Sequence, residues 1–475
     1  MIMFFSDCAR ISFTSTNFRH IEMPQPSFSL VNFSWKFIVR CIFLIGVHQN
    51  AFCEPKARYA LIADGLIDGV TDTRIEGKAV LIEDKKISAI VNRDQIPSSL
   101  LKIELSGTTL MPGMINVHEH PMIYKHDYQN GHLEASSAYK ALLGLSNLQN
   151  LLLAGWTTIR VMGDADVFYA VQDLKRIIDE GVFSGPRLTG AAHYISITGG
   201  GGDINYLSPE QHVISDGLIV DGADEIRKAI RKEIKYGSDW IKIMVTGAFM
   251  SVGDNPKNVS FSPEELNAAV AEANRQNVPV AAHAHATEGI NQAIIAGVRS
   301  IEHGSFINQK SIDLMVKHGT FLVPTIYVGD YYAHSGKLRE QTKNDEFYLS
   351  FRASWLKLIG KAHLSGVKIA VGSDLCGPMI ESSVCAREFA TLIEAGMSPM
   401  DAIKAGTIVG AELLQWEDRI GSIEVGKLAD IIAVPGNPLE NISALEQPLF
   451  VMKNGQIIKN ISLRDGGVVL EQLLG

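Results

Sequence analysis

Between residues 224 and 323, short apolar runs alternate with amphipathic stretches in a regular order, and this alternation constrains the fold more than any other feature of the chain. From Asp224 to Tyr236, Ile226, Ala229, Ile230 and Ile234 fall on one helical face, and Gly237 is placed to cap the end. Trp240-Ile241-Lys242-Ile243-Met244-Val245 follows as a strand. Ser262-Pro263-Glu264-Glu265 then forms a capping box with proline at the first helical position, opening a helix expected to end near Asn277. Val278 to His283 reads as the next strand, Glu288 to Ala296 as a shorter helix and Ser300-Ile301-Glu302-His303 as a strand; one more helix leads to Thr320-Phe321-Leu322-Val323. Such βα alternation gives parallel strands, and closure into a barrel is the expected form, with an open doubly wound sheet as the alternative.

The flanks have another pattern. Tyr59-Ala60-Leu61-Ile62 and Ala79-Val80-Leu81-Ile82 are strand-like, and Glu83-Asp84-Lys85-Lys86 reads as a hairpin turn. Near the other end, residues 429–434 and 449–452 are strand-like again, and Asn454-Gly455 supplies a hairpin turn before Gln456-Ile457-Ile458. The expected architecture is therefore α/β: a (β/α)8 TIM barrel over residues 114–415, with a small β-sandwich assembled from residues 54–113 and 416–475.

Residues 1–53 read as an N-terminal extension and signal peptide. Trp35-Lys36-Phe37-Ile38-Val39-Arg40 is a basic flank, residues 41–47 are a short apolar run, and Ala51-Phe52-Cys53 places small residues at a cleavage site before Glu54. The expectation is a periplasmic or secreted protein whose translation starts at an internal methionine such as Met23; the apolar run is too short for a stable membrane span. Of five cysteines, Cys8, Cys41 and Cys53 lie in the segment expected to be removed, so the sequence permits at most one disulfide, Cys376 with Cys385. A net charge of −9 without a Lys/Arg block excludes a nucleic-acid footprint and leaves a small-molecule substrate as the expected partner; a homo-oligomer remains open.

Polar residues recur where strands end. His118 and His120 follow Met114-Ile115-Asn116-Val117, His283 and His285 end a later strand, and His303 and Asp374 end two more. In a β/α barrel those ends converge on one mouth, so residues scattered in sequence gather in space. Side chains two apart on a strand share a face, which lets His118 and His120 hold one metal and puts Lys242 inside the barrel beside Trp240 and Met244. A lone buried ammonium is costly, and carboxylation by carbon dioxide would turn it into a carbamate anion able to bridge two cations. No Cys-x-x-Cys pattern exists, so any metal sits on nitrogen and oxygen. Taken singly, each of these residues is equally a core or surface side chain; together they make a ligand set.

At this point the chain resembles the amidohydrolase superfamily. Leu110-Met111-Pro112-Gly113-Met114-Ile115-Asn116-Val117-His118-Glu119-His120 is similar to its first-strand signature. Residues 241–243, 282–285, 300–304 and 371–374 resemble its fourth, fifth, sixth and eighth strands, and residues 421–430 the segment that returns to the small domain. Within the superfamily the pairing of Lys242 with the Thr198-Gly199-Gly200-Gly201-Gly202-Asp203 loop resembles the imidazolonepropionase-like branch of Xaa-Pro dipeptidases, carboxypeptidases and ochratoxin amidase.

The resemblance implies that His118, His120 and Asp374 hold one divalent ion, expected to be zinc, and that His283 and His303 hold a second, with Lys242 as bridging N6-carboxylysine. It implies a metal-bridging hydroxide that cleaves an amide or peptide C–N bond of a dipeptide or N-acyl amino acid, with Asp374 moving the proton. Branch members often carry a histidine inside the glycine run; this chain has none, and His285 or His193 is the expected substitute for polarising the carbonyl. His193 and Tyr327 are the expected pocket-lining residues. Two other functions compete: a mononuclear deaminase or cyclic-amide hydrolase, against which Lys242 argues, and a non-catalytic binding barrel, against which the complete ligand set argues.

Overall fold

A computed structural model describes residues 58–461 apart from 124, 126, 336–341 and 376–381. The expected signal segment and Cys376 lie outside the described residues; Cys385 is buried and free.

The local signals resolve much as their chemistry requires. Ser262 accepts from the Glu265 amide while the Glu265 carboxylate accepts from the Ser262 N–H, and the helix they open is Pro263–Asn274. It stops short of the expected Asn277 because Val278 N–H turns back to the Ala273 carbonyl. The preceding helix, Ala223–Lys235, ends at Tyr236, and Gly237 follows at φ +104. Thr287–Ala296 is the shorter helix.

Seven strands of the barrel run in order: Met114–Glu119, Trp156–Met162, Arg187–Ala191, Ile241–Met244, Val280–Ala284, Ser300–His303 and Phe321–Val323. The pairings among the first three, and from the fourth to the seventh, are parallel. Backbone hydrogen bonds span the two remaining seams. Gly190 O accepts from Asp239 and Trp240 at 3.1 and 3.3 Å, joining the third strand to the fourth. The stretch 369–374 serves as the eighth: Ala370 N–H donates to Leu322 O at 3.0 Å, Val117 N–H to Val371 O at 2.9 Å, and Asp374 N–H to His118 O at 2.9 Å. Strand alternation sorts the fourth strand as its sequence demands. Ile241, Ile243 and Val245 pack in a cluster with Ile230, Leu266 and Ile290 of the surrounding helices, whereas Trp240 joins Val117, Ala281, Val323 and Ala370 inside.

The chain's two flanks meet in one eight-stranded sheet. Leu101–Pro112 pairs in parallel with Arg58–Leu66 and antiparallel with Ile431–Pro435, so one strand bridges material from both flanks. Lys78–Glu83 and Lys86–Asn92 form one hairpin, and Phe450–Lys453 and Gln456–Asn460 another through Asn454 and Gly455, both at positive φ. The sheet curls back on itself: Lys86 bridges Leu428, and Ile87 exchanges backbone bonds with residues 426 and 427. Leu61, Val80, Ile82, Ile431 and Phe450 fill the core between its arms. Ile432 and Val434, pointing the other way, pack into the main cluster with Met111 and Trp156 and seat the sheet on the barrel.

Candidate metal centre

The expected histidine and aspartate ligands sit at or next to strand C-terminal ends, Lys242 lies within the strand Ile241–Met244, and one cavity is lined by His118, His120, Lys242, His283, His303 and Asp374 together with His285. The side chains fall into two groups whose ligand atoms lie within 4.8 Å of one another: His118, His120 and Asp374, and His283, His285 and His303. Asp374 Oδ1 is 3.2 Å from His120 Nε2 and 3.5 Å from His118 Nε2, and its Oδ2 is 3.9 Å from His303 Nδ1, so the aspartate faces both groups.

Neighbouring groups set which ring nitrogen faces the cavity. His118 Nδ1 lies 2.7 Å from Glu302 Oε2, and Arg160 and Ser300 hold the other carboxylate oxygen at 2.9 and 2.5 Å. His120 Nδ1 bonds the Gly163 carbonyl, His285 Nδ1 is 2.8 Å from Ser305 Oγ, and His303 Nδ1 is 2.7 Å from Thr325 Oγ1. Each of these four rings spends Nδ1 on a protein partner and keeps Nε2 for a ligand, the arrangement that metal-binding histidines use. His283 is the reverse, with Nε2 3.1 Å from Gly247 O. Gly163 is required where it stands: φ is +90, and a Cβ would lie 2.6 Å from the Tyr194 amide.

Burial, reinforced by Lys242, drives His118 well below the ordinary imidazole value and His283 down to about 3. Burial lowers His285 and His303 likewise. These four rings are neutral, the form that donates a lone pair to a cation. At His120 burial is outweighed by the hydrogen bond and charge of Asp374, which raise it, and the same contacts help hold Asp374 below its usual range against burial. Lys242 is buried within electrostatic range of all five histidines and Asp374, and desolvation brings it down to about 8. It makes no hydrogen bond or ion pair with a described residue.

Three residues at strand ends, His303, Thr325 and Asp374, have φ of +69, +49 and +53. A non-glycine residue in the left-handed region costs about 1–3 kcal/mol, and such strain concentrates where geometry serves a site. Part of the cost is met at Thr325 by Glu388, whose carboxylate accepts the N–H groups of Ile326 and Tyr327 at 2.9 and 2.7 Å. A second buried frame ties the first strand to the eighth: Asn116 Nδ2 donates to Ser373 Oγ at 2.8 Å and to Glu119 at 2.9 Å, and Ser373 donates to Glu119 at 2.5 Å.

Two sequence-predicted pocket residues lie elsewhere. His193 is fully buried, with Nδ1 2.8 Å from Glu233 and its ring edge-on to Tyr169, and it is not among the lining residues. Tyr327 is turned toward Arg387, which donates to its hydroxyl at 2.9 Å; Val328 and Tyr332, one helical turn apart, line the cavity in its place. The cause is that a helix begins at Ile326, so consecutive side chains diverge instead of sharing a strand face. The structure adds residues that sequence patterns did not single out, among them Glu302, Arg160, Ser305 and Phe249. Of these only Glu302, next to His303, was close to a visible signal.

A barrel that gathers five imidazoles, a lysine and an aspartate into one cavity has the donor groups that metal-assisted hydrolysis uses. Residues 109–458 match the Amidohydrolase family, and the chain belongs to it, an enzyme acting on non-ester carbon–nitrogen bonds. Ochratoxinase of Aspergillus niger is 32% identical over 444 residues, spanning 85% of this chain and 87% of that protein. A Xaa-Pro dipeptidase with methionine bound in its active site superposes with a TM-score of 0.79 at 34% identity, covering 85% of this chain and 100% of that one. A prolidase complexed with N-methylphosphonate-L-proline superposes at 0.77 with 28% identity over 85% of this chain and 100% of its own.

Proposed function

We propose that the chain is a binuclear metal-dependent hydrolase that cleaves the amide or peptide bond of a dipeptide or N-acyl amino acid. One observation carries this: two adjoining sets of ligand-type side chains open on one cavity, and within electrostatic range of both lies a buried lysine amine that has no hydrogen-bond or ion-pair partner among the described residues. The donor set fits two divalent ions such as zinc, being all nitrogen and carboxylate oxygen, with His118, His120 and His303 each spending Nδ1 on a protein partner and keeping Nε2 for a ligand. His118, His120 and Asp374 would hold one and His283 and His303 the other. Lys242 would serve both as a carbamate, formed when its neutral amine adds to carbon dioxide with loss of a proton. When bound, the ions supply an acidified water and a Lewis acid for the scissile carbonyl.

The protein's own groups do the rest. Asp374, facing both sets, is placed to take the proton from the attacking water and pass it to the departing nitrogen. His285, oriented by Ser305, is left with Nε2 to donate to the carbonyl oxygen as charge develops. The Arg160–Glu302 pair holds His118 in one tautomer.

The similarity to a Xaa-Pro dipeptidase and to ochratoxinase supports the substrate class. Metal analysis of the purified protein, followed by turnover assays on dipeptides and N-acyl amino acids, tests the reading: two metals per chain with hydrolysis supports it, and one metal with deamination replaces it. We also propose secretion or periplasmic export, resting on the basic, apolar and small-residue pattern of residues 35–53. A mature N-terminus upstream of Glu54 would overturn that.

A further inference from the structure

Beyond the metal ligands, the cavity wall has a marked chemical bias. Phe249, in the segment after the fourth barrel strand, sets its ring edge-on to His285 at 4.6 Å between centroids and 81° between planes. Behind it lies an aromatic face of the helix Thr342–Leu364: Phe351 stacks on Phe249 at 5.9 Å and 20°, and Phe351 in turn touches Tyr348 at 5.7 Å and Trp355 at 6.0 Å. Phe249, Tyr348 and Trp355 line the cavity, as do Met244 and Met250.

The polar atoms of this wall are withdrawn. Tyr348 donates its hydroxyl to Ile326 O at 3.1 Å and Asp330 Oδ1 at 2.9 Å, and Trp355 Nε1 is buried with no acceptor among the described residues. The surface offered to a ligand is therefore ring face, ring edge and thioether. Among the described lining residues Asp374 is the sole carboxylate and Lys242 the sole lysine or arginine, so no charge beyond the metal centre competes for this part of the cavity.

Aromatic residues at helical spacing most often fill a core, and Tyr348 and Trp355 are largely buried in it, each keeping an edge on the cavity, with Phe351 packed against them. Phe249 departs from that pattern. It comes from a different element, is only partly buried, and touches both the aromatic cluster and a histidine of the centre. Its ring thus joins the reacting site to the apolar wall.

We infer that this wall is a subsite for an aromatic ring carried on one side of the scissile amide, with Phe249 as its specificity-determining residue. The inference rests on the amide-hydrolase reading and narrows its substrate class to aromatic amides. Offset-stacked and edge-to-face ring pairs are favoured at centroid distances of roughly 4.5–7 Å, and a planar ring meets Phe249, Tyr348 and Trp355 in those modes. Methionine sulfur adds contacts of the same soft kind at the ring edge.

The test compares the metal-loaded protein with Phe249→Ala and Phe249→Leu on N-benzoylglycine, N-acetylphenylalanine and N-acetylglycine. Binding of N-benzoylglycine is followed in parallel by calorimetry, and metal content and circular dichroism check the fold of each variant. The expected result is that at least one aromatic amide exceeds N-acetylglycine in kcat/KM by about tenfold or more, a ratio that falls by a similar factor in Phe249→Ala and less in Phe249→Leu. An equal kcat/KM for all three amides, or a ratio untouched by Phe249→Ala, overturns the subsite. If no amide is turned over, the hydrolase reading fails on its own, and the calorimetry still decides: Phe249-dependent binding of N-benzoylglycine upholds the aromatic subsite, and its absence removes it.

Discussion

Glu302 lies 2.7 Å from His118 Nδ1 on one oxygen and 2.9 Å from Arg160 on the other, and both ion-pair side chains are 0% exposed. The pair commits His118 to presenting Nε2, so under the proposed reading its loss would act on metal binding before it acts on the substrate. Glu302→Gln is expected to lower metal affinity or activity by about 10–100-fold, the usual effect of removing a partner behind a ligand. It also leaves Arg160 as an uncompensated buried charge, costing about 3–5 kcal/mol in chemical denaturation. Unchanged metal affinity in the variant would remove Glu302 from the site.

Lys242→Ala should release bound metal and abolish turnover. Incubation of the native protein with 13C-labelled bicarbonate should give a carbamate carbon resonance, absent from the variant. A variant with two metals per chain and full activity refutes the bridging role.

Asp374→Asn keeps the shape of the side chain and removes its basicity. General acid–base contributions run to about 10²–10⁴-fold, and a loss of kcat in or beyond that range is expected with an unaltered circular dichroism spectrum. Near-normal turnover would end its assignment as proton carrier.

Glu388 acts from outside the cavity. Its two backbone contacts at the start of the helix Ile326–Ser335 fix Thr325, whose hydroxyl meets His303. Glu388→Ala strands two buried amides at about 1–3 kcal/mol each, so a large fall in Tm and a weakened second metal site should appear together.

Asp216 contributes to the pH dependence of the fold together with Glu119 and Asp164, which burial also raises to about 7, and Glu388, raised to about 8. Burial raises the Asp216 carboxyl to about 7 against the hydrogen bonds of Tyr194 and Gln129. The folded protein then binds a proton that the unfolded chain has lost, so this contribution is complete below about pH 4 and disappears as pH rises through about 7. In chelator-treated protein, Tm should fall between pH 5 and 8 in part from this group, and Asp216→Asn should make that slope shallower. An identical slope in the variant would show that Asp216 does not titrate there.

The barrel, and the convergence of the expected ligand residues on one cavity, were legible because their signals are local. Strand alternation placed Lys242 inward, and the histidines sit where apolar runs stop. Tyr327 and His193 misled for a related reason: one opens a helix that resembles a strand continuation, and the other follows a strand but is claimed by Glu233 from the helix Ala223–Lys235. Glu302, Glu388 and Phe249 act through contacts with residues far away in the chain, and no sequence period reports such partners.

The strand Leu101–Pro112 has a consequence for how the protein is made. Thr109 meets Gly436, a residue 327 positions later, so the seam between the flanks closes only after the whole barrel has emerged. At roughly 5–20 residues per second, the nascent polypeptide carries an open strand edge for roughly 16–65 seconds. Ribosome-bound or prematurely terminated chains therefore expose a hydrogen-bonding template, and holding that edge away from others of its kind is a task for the cell's folding assistants during synthesis.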